Sequence, residues 1–300
     1  MTNKDKFFFF GFGQTAKYLV NNLSQSKKNF TFCATNTKKT NLKTFGKKRF
    51  KSFRFKDKFY DKKLIKDLIK SDYILVSIPP QKKRDLVIKS FGKLLKKSKF
   101  KKLIYLSATS VYGNHNGKWV NENSKLKGRT KFGLGRKIVE NTWLKFRDLN
   151  NLDINILRVS GIYSKENNVL KKISRSNIYV KERKYFSRIR IEDLAQIIKK
   201  MFYSQKNLLI LNASDDKPAT NIEVANFAAK LLKIKNLKPV PISNFKNKLI
   251  KEFYKDSKKV SNKNMKNKLL IKLKYPTYKE GLRNIFNNSQ YFSLHHSKRF

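Results

Sequence analysis

A chain of 300 residues can bury a sizeable core in one large domain or two modest ones. A single cysteine, Cys33, excludes a disulfide framework and a thiolate metal site, so no metal site is expected, and no apolar run approaches a membrane span, which reads as a cytoplasmic protein without a membrane partner. The formal net charge of +51 would suit a nucleic-acid binder, but lysine is spread through nearly every segment and no recognised binding module accompanies it, so the charge reads as coding bias together with non-specific polyanion affinity.

The chain opens on Lys6–Ala16, K-F-F-F-F-G-F-G-Q-T-A. Four consecutive phenylalanines without alternation suit a strand buried on both faces of a parallel sheet. They run into Gly11-x-Gly13-x-x-Ala16, and the residues after Thr15 repeat at helical spacing. Strand, glycine turn and helix in that order give a G-x-G-x-x-G/A motif its meaning as a dinucleotide site. Gly11 makes the tight turn, Gly13 lets the backbone approach a pyrophosphate, and Ala16 allows close helix–strand packing. Gly11, Phe12, Gly13, Gln14 and Thr15 are therefore candidate cofactor residues.

Asn29–Asn36 reads as the second strand. An acidic residue at its end would accept from the 2′-hydroxyl of NAD. The chain offers Thr35-Asn36-Thr37-Lys38-Lys39 instead, donors that suit a 2′-phosphate, so Asn36 and Lys38 point to NADP as the preferred cofactor, with NAD as the alternative. Residues 40–60 read as basic and irregular, with a short strand near Phe50–Phe55. A helix over Asp61–Ser71, a buried strand over Asp72–Pro80, a helix over Arg84–Lys97 and a strand over Lys102–Ser107 follow. That alternation argues for an α/β fold with a doubly wound parallel sheet. Its ligands sit outside the carboxyl ends of the strands, which places Ser77 and Ser107 near the cofactor.

From Tyr105 onward the residues carry a family resemblance. Tyr105–Gly113, Y-L-S-A-T-S-V-Y-G, resembles the strand-and-loop signature of extended short-chain dehydrogenase/reductases, the NAD-dependent epimerase/dehydratase group. Glu122, the Phe132–Glu140 segment, Asn155–Tyr163, Phe186–Ala195 (against R-D-x-x-x-V-D-D-x-A), Leu211-Asn-Ala-Ser, Lys259–Asn262 and Tyr275–Leu282 match further pieces in order. The resemblance covers nearly the whole chain. It implies a Rossmann-type domain over 1–163, its sheet completed by a later strand near 208–211. A smaller α/β substrate lobe over 164–286 and a flexible tail over 287–300, which holds His295 and His296, would follow.

Active members of that family use a Tyr as general acid/base and a Lys four residues later. Anchored on Glu140, those positions hold Phe132 and Arg136, so the resemblance is to the divergent branch that lacks the Tyr-x-x-x-Lys pair. A phenyl ring carries no proton, and an arginine is effectively never a general base, although Arg136 retains the charge to hold a ribose or phosphate. Ser107, Tyr112 and Glu122 are the candidate replacements in catalysis, and Thr109, Arg158 and Arg188 the candidate substrate contacts. Each also has a structural reading: Tyr112 packs the V-Y-G turn, Glu122 pairs with a lysine, Arg158 forms an internal ion pair, and Arg188 links domains.

The resemblance thus implies redox or epimerase chemistry on a sugar nucleotide or a small hydroxyl or carbonyl compound, in a pocket between the two lobes. Two alternatives stand beside it: a non-catalytic NAD(P)-binding sensor or scaffold, and a basic nucleic-acid-associated Rossmann protein. Whether the chain is an enzyme stays open on the sequence, and a homodimer rests on analogy alone.

Overall fold

A computed structural model describes residues 4–26, 29–57 and 59–289. The described chain forms two compact units. The first comprises residues up to Val111, Lys131–Arg158 and Leu194–Leu211; the second comprises Tyr112–Thr130, Val159–Asp193 and the described residues from Asn212 onward.

The first unit is built on β1 (Asp5–Phe10), α1 (Gln14–Ser24), β2 (Phe30–Asn36), β3 (Asn41–Phe45), β4 (Lys48–Lys56), β5 (Phe59–Tyr60), α2 (Leu64–Ile69), β6 (Tyr73–Val76), α3 (Leu86–Lys97), β7 (Lys102–Ala108) and α4 (Lys131–Asn150). The sheet order runs from strand Ile210–Ala213 through Ile154–Val159, β7, β6, β1, β2 and β4 to β3. β1 lies parallel to β2 and β6, β6 parallel to β7, and β2 parallel to β4. Read from β4, this is the 3-2-1-4-5-6 order of a doubly wound α/β sheet.

The phenylalanine run explains the centre of that sheet. Successive side chains of a strand point to opposite faces, and here both faces are covered. Phe8 and Phe10 enter a cluster with Phe53, Leu64, Phe91 and Trp143. Phe7 and Phe9 face the other way, with Phe7 stacked on Tyr73 at 5.0 Å and edge-on to Phe202 at 5.5 Å. Asp85 starts α3 by accepting from the Val87 and Ile88 amides at 2.8 and 2.9 Å, and its second oxygen accepts from Trp143 Nε1 at 3.2 Å.

Residues 40–60 differ from the irregular reading. They form a hairpin in which β3 and β4 pair antiparallel, Asn41 opposite Ser52, and β5 adds to β4. Lysine and arginine fill the exposed positions of β4 while Phe50, Phe53 and Phe55 are buried, so the basic composition masks a strand with one apolar face.

The second unit has small paired strands: Gly161–Tyr163 with Arg188–Arg190, Ile178–Val180 with Lys238–Val240, Tyr185–Phe186 with Ala219–Thr220, and Trp119–Val120 with Lys259–Val260. Pro239 lies in a strand opposite Tyr179. The core gathers Tyr163, Leu170, Ile173, Val224, Ala228, Tyr278 and Leu282. Helices Asn221–Leu231 and Tyr278–Asn287 each begin with a capping box, Thr220 with Glu223 and Thr277 with Glu280. Asn288 caps the last helix and Ser289 is buried. The rest of the expected tail, with His295 and His296, lies outside the described residues.

Candidate functional site

Three strands converge on Gly11. Its φ of +93° is open to glycine and costly for other residues. The Gly11 amide donates to Thr35 Oγ1 on β2 at 2.9 Å, while Ser77 Oγ beyond β6 donates to the Phe10 carbonyl at 2.9 Å. A Cβ on Gly11 would meet Ser77 Oγ at 2.8 Å. The turn is thus fixed from both sides. Two residues later Gly13 is extended and caps α1 without any side-chain hydrogen bond, and a Cβ added there would find nothing within 4 Å. Ala16 is fully buried and brings α1 close to the sheet. The result is a helix N-terminus with its approach clear, which suits an anionic group.

The other cofactor candidates fall into place unevenly. Phe12 contributes only backbone to the turn, because its ring packs among Phe9, Phe32, Phe45 and Phe50, the last at 4.7 Å. Gln14 and Thr15 begin α1. Asn36 spends its amide on its own chain: Nδ2 donates to Ser52 Oγ at 2.7 Å and Oδ1 accepts from the Lys38 amide at 2.7 Å. Lys38 itself is exposed.

The register of β2 on β4 adds a residue the sequence reading missed. Asn36 pairs with Arg54, and Arg54 lines an open pocket of about 610 Å³ with Lys39, Thr40, Asp61 and Lys62. Its signal was the exposed basic position between buried Phe53 and Phe55. Thr35, which fixes Gly11, was missed as well.

At the end of β7, Ser107 is buried and its hydroxyl makes no hydrogen bond among the described residues. Thr109 is buried at the start of the single turn Thr109–Tyr112. Arg136 on α4 donates from Nη1 to the Leu106 carbonyl at 3.0 Å, and Phe132, one turn earlier, is 48 % exposed. Ser107 and Arg136 therefore flank the same strand end.

The remaining candidates have structural positions. Tyr112 is fully buried and donates to Asn212 Oδ1 at 2.7 Å, and Glu122 accepts from the Asn212 amide at 2.9 Å. Asn212 thus ties the 112–130 segment to strand Ile210–Ala213. The Tyr112 hydroxyl is committed to Asn212 and removed from solvent. Arg158, expected at the substrate, is enclosed with Glu140, their exposures 3 % and 1 %, and its guanidinium is consumed by that carboxylate. Arg188 donates from Nη1 to the carbonyls of Phe186 and Ala219 at 2.9 and 3.1 Å, all three within the second unit.

The strand order, the fixed glycine turn and the clear helix terminus define a Rossmann-type dinucleotide-fold protein. The solved structures it is similar to narrow the fold further. A conserved protein of unknown function from Silicibacter pomeroyi aligns over 96 % of this chain and 100 % of its own, with TM-score 0.81 and 23 % identity. The dTDP-glucose 4,6-dehydratase of Bacillus anthracis, solved in complex with NAD, aligns over 97 % and 98 % with TM-score 0.76 and 15 % identity. The UDP-glucuronic acid 4-epimerase of Bacillus cereus, also in complex with NAD, aligns over 97 % and 98 % with TM-score 0.72 and 15 % identity. The chain therefore shares the fold of NAD-dependent epimerases and dehydratases. No protein-family model and no curated protein matches it.

Proposed function

We propose that the chain binds NAD(P) at the Gly11–Thr15 turn, with NADP preferred over NAD. The observation that carries this reading is the contrast between the two glycines: Gly11 fixed between Thr35 and Ser77, Gly13 open above the start of α1. The chain has no carboxylate at the end of β2, and Lys38, Lys39 and Arg54 supply cations for a 2′-phosphate. When bound, the nicotinamide would exchange hydride with a sugar nucleotide or another small hydroxyl or carbonyl compound, the chemistry that the family resemblance implies. Ser107 would hold the substrate oxygen, since its hydroxyl is otherwise unused, and Arg136 would fix the end of β7 and contribute positive charge.

A second reading is a non-catalytic NAD(P) binder. Phe132 at the acid/base position and the sealed hydroxyl of Tyr112 favour it. Loss of general acid/base help costs about 10²–10⁴-fold in rate.

Titration with NADPH and NADH at moderate salt, followed by nicotinamide fluorescence, tests both readings. NADPH binds tighter than NADH, Gly13→Asp loses both without loss of fold, and Arg54→Glu weakens NADPH more than NADH. Absence of binding by either nucleotide would make the glycine turn a scaffold only. Binding without turnover across a panel of hydroxy and carbonyl compounds, sugar nucleotides included, would favour the non-catalytic reading.

A further inference from the structure

Within the second unit lies a cleft of about 540 Å³, in the size range of small-molecule sites. Aliphatic groups such as Ile173, Val224 and Leu249 line it together with the rings of Phe186, Phe245 and Phe253. Phe186 and Phe253 stack at 4.5 Å, and Phe186 stands where the R-D-x-x-x-V-D-D-x-A pattern has its arginine.

Several polar side chains of the wall are committed to the chain itself. Asn168 donates to the carbonyls of Ser164 and Lys165 and accepts from the Lys171 amide. Asn221 donates to the Val180 carbonyl at 2.6 Å and accepts from the Lys184 amide at 3.0 Å. Ser187 Oγ accepts from the Val260 amide, and Ser176 Oγ donates to the Lys172 carbonyl.

Of the remaining polar groups of the lining, the Tyr163 hydroxyl has no hydrogen-bond partner among the described residues and Lys172 adds a cation, and Arg188 and Tyr254 bear most directly on a ligand. Arg188 uses Nη1 on two carbonyls and has the Asp215 carboxyl as its main neighbouring negative charge, while its Nε and Nη2 form no hydrogen bond among the described residues. The Tyr254 hydroxyl likewise makes no hydrogen bond among the described residues. Burial pushes it up to about 12, and the charge of Arg188 pulls it partly back. A guanidinium edge and a phenolic donor sharing an apolar cleft match one planar monoanion on an apolar body.

We infer that this cleft binds an apolar, aryl-alkyl carboxylic acid through Arg188 and Tyr254. This inference goes beyond the proposed function and does not depend on it. Binding at the cleft and nicotinamide binding at the glycine turn are separate measurements, so either can fail alone.

The probe is 4-phenylbutyrate, titrated calorimetrically into the full chain at moderate salt, with 4-phenyl-1-butanol, acetate and UDP-glucose as comparisons. One molecule of acid binds saturably, and the alcohol and acetate bind at least about tenfold more weakly, since a charge-assisted hydrogen bond is worth about 1.5–3 kcal/mol. UDP-glucose does not displace the acid. Tyr254→Phe, which removes one oxygen and keeps the ring, weakens binding about tenfold, by the same reasoning on one bond to a charged group. Arg188→Gln abolishes it, and Leu249→Trp, at an exposed rim position, blocks it by filling the cleft. Tighter binding of UDP-glucose, no saturable binding of the acid to folded protein, or affinity unchanged in Tyr254→Phe and Leu249→Trp would each overturn the assignment.

Discussion

Arg158 grips Glu140 inside the first unit with Nη2 at 2.8 Å from Oε2 and Nε at 3.1 and 3.2 Å from the two carboxylate oxygens. Both side chains are almost wholly removed from water, so each is tolerable only because of the other. Glu140→Ala leaves a buried guanidinium without its partner and is expected to cost about 3–5 kcal/mol. Urea denaturation measures it. The double change Glu140→Leu with Arg158→Met is expected to recover most of that loss, because it removes both charges and refills the volume. A double variant no better than the single one would show that Arg158 does more than neutralise Glu140.

Gly281 lies against Tyr163 in the second unit. A Cβ there would meet the Tyr163 hydroxyl at 2.0 Å and two ring carbons at 2.8 Å. Gly281→Ala therefore overpacks the core, at a cost of about 1–3 kcal/mol even though alanine is the better helix former. Tyr163→Phe in the same chain removes the nearest atom and is expected to recover part of the cost, which a double-mutant cycle in thermal unfolding will read as coupling.

The Thr220–Glu223 capping box carries a pH signature. Hydrogen bonds from the Thr220 hydroxyl and amide, both at 2.7 Å, hold the Glu223 carboxyl below its usual range. A carboxylate depressed in the folded state stabilises above its unfolded pKa, and the contribution is lost as pH falls through the folded value. Glu223→Ala is expected to lower stability by about 1 kcal/mol at neutral pH. The gap between the two proteins then closes as pH drops below the ordinary glutamate range. A gap independent of pH would mean the carboxylate charge is not what holds the cap.

Cys33 on β2 is expected to be a slow thiol. Burial, with Asp67 adding to it, pushes its pKa up to about 11, so little thiolate exists at neutral pH. Alkylation by iodoacetamide in the folded protein at pH 8 should run far slower than in urea. Comparable rates would show that the sheet around β2 opens readily.

Much of the fold was legible because it is written in local chemistry. Four phenylalanines and two glycines announce a strand buried on both faces and a turn into a helix, and the alternation of elements through Ser107 leaves few sheet orders open. The β3–β4 hairpin was hidden because lysines on the exposed face of β4 look the same in sequence as lysines in a loop. Charge says nothing about which face a residue takes until the phenylalanines beside it are seen to be buried.

The sequence by itself determined the doubly wound sheet and the glycine turn, because each depends on residue type at fixed short spacing. Only the tertiary structure decided what the long-range partners were. Arg158 became an internal ion pair, Tyr112 and Glu122 became anchors for Asn212, and Arg188 was left with an unused guanidinium edge in an apolar cleft. The physical reason is that the role of a polar side chain is set by which groups desolvate and satisfy it, and for Arg158, Tyr112 and Glu122 those groups lie from 18 to 100 residues away in the chain.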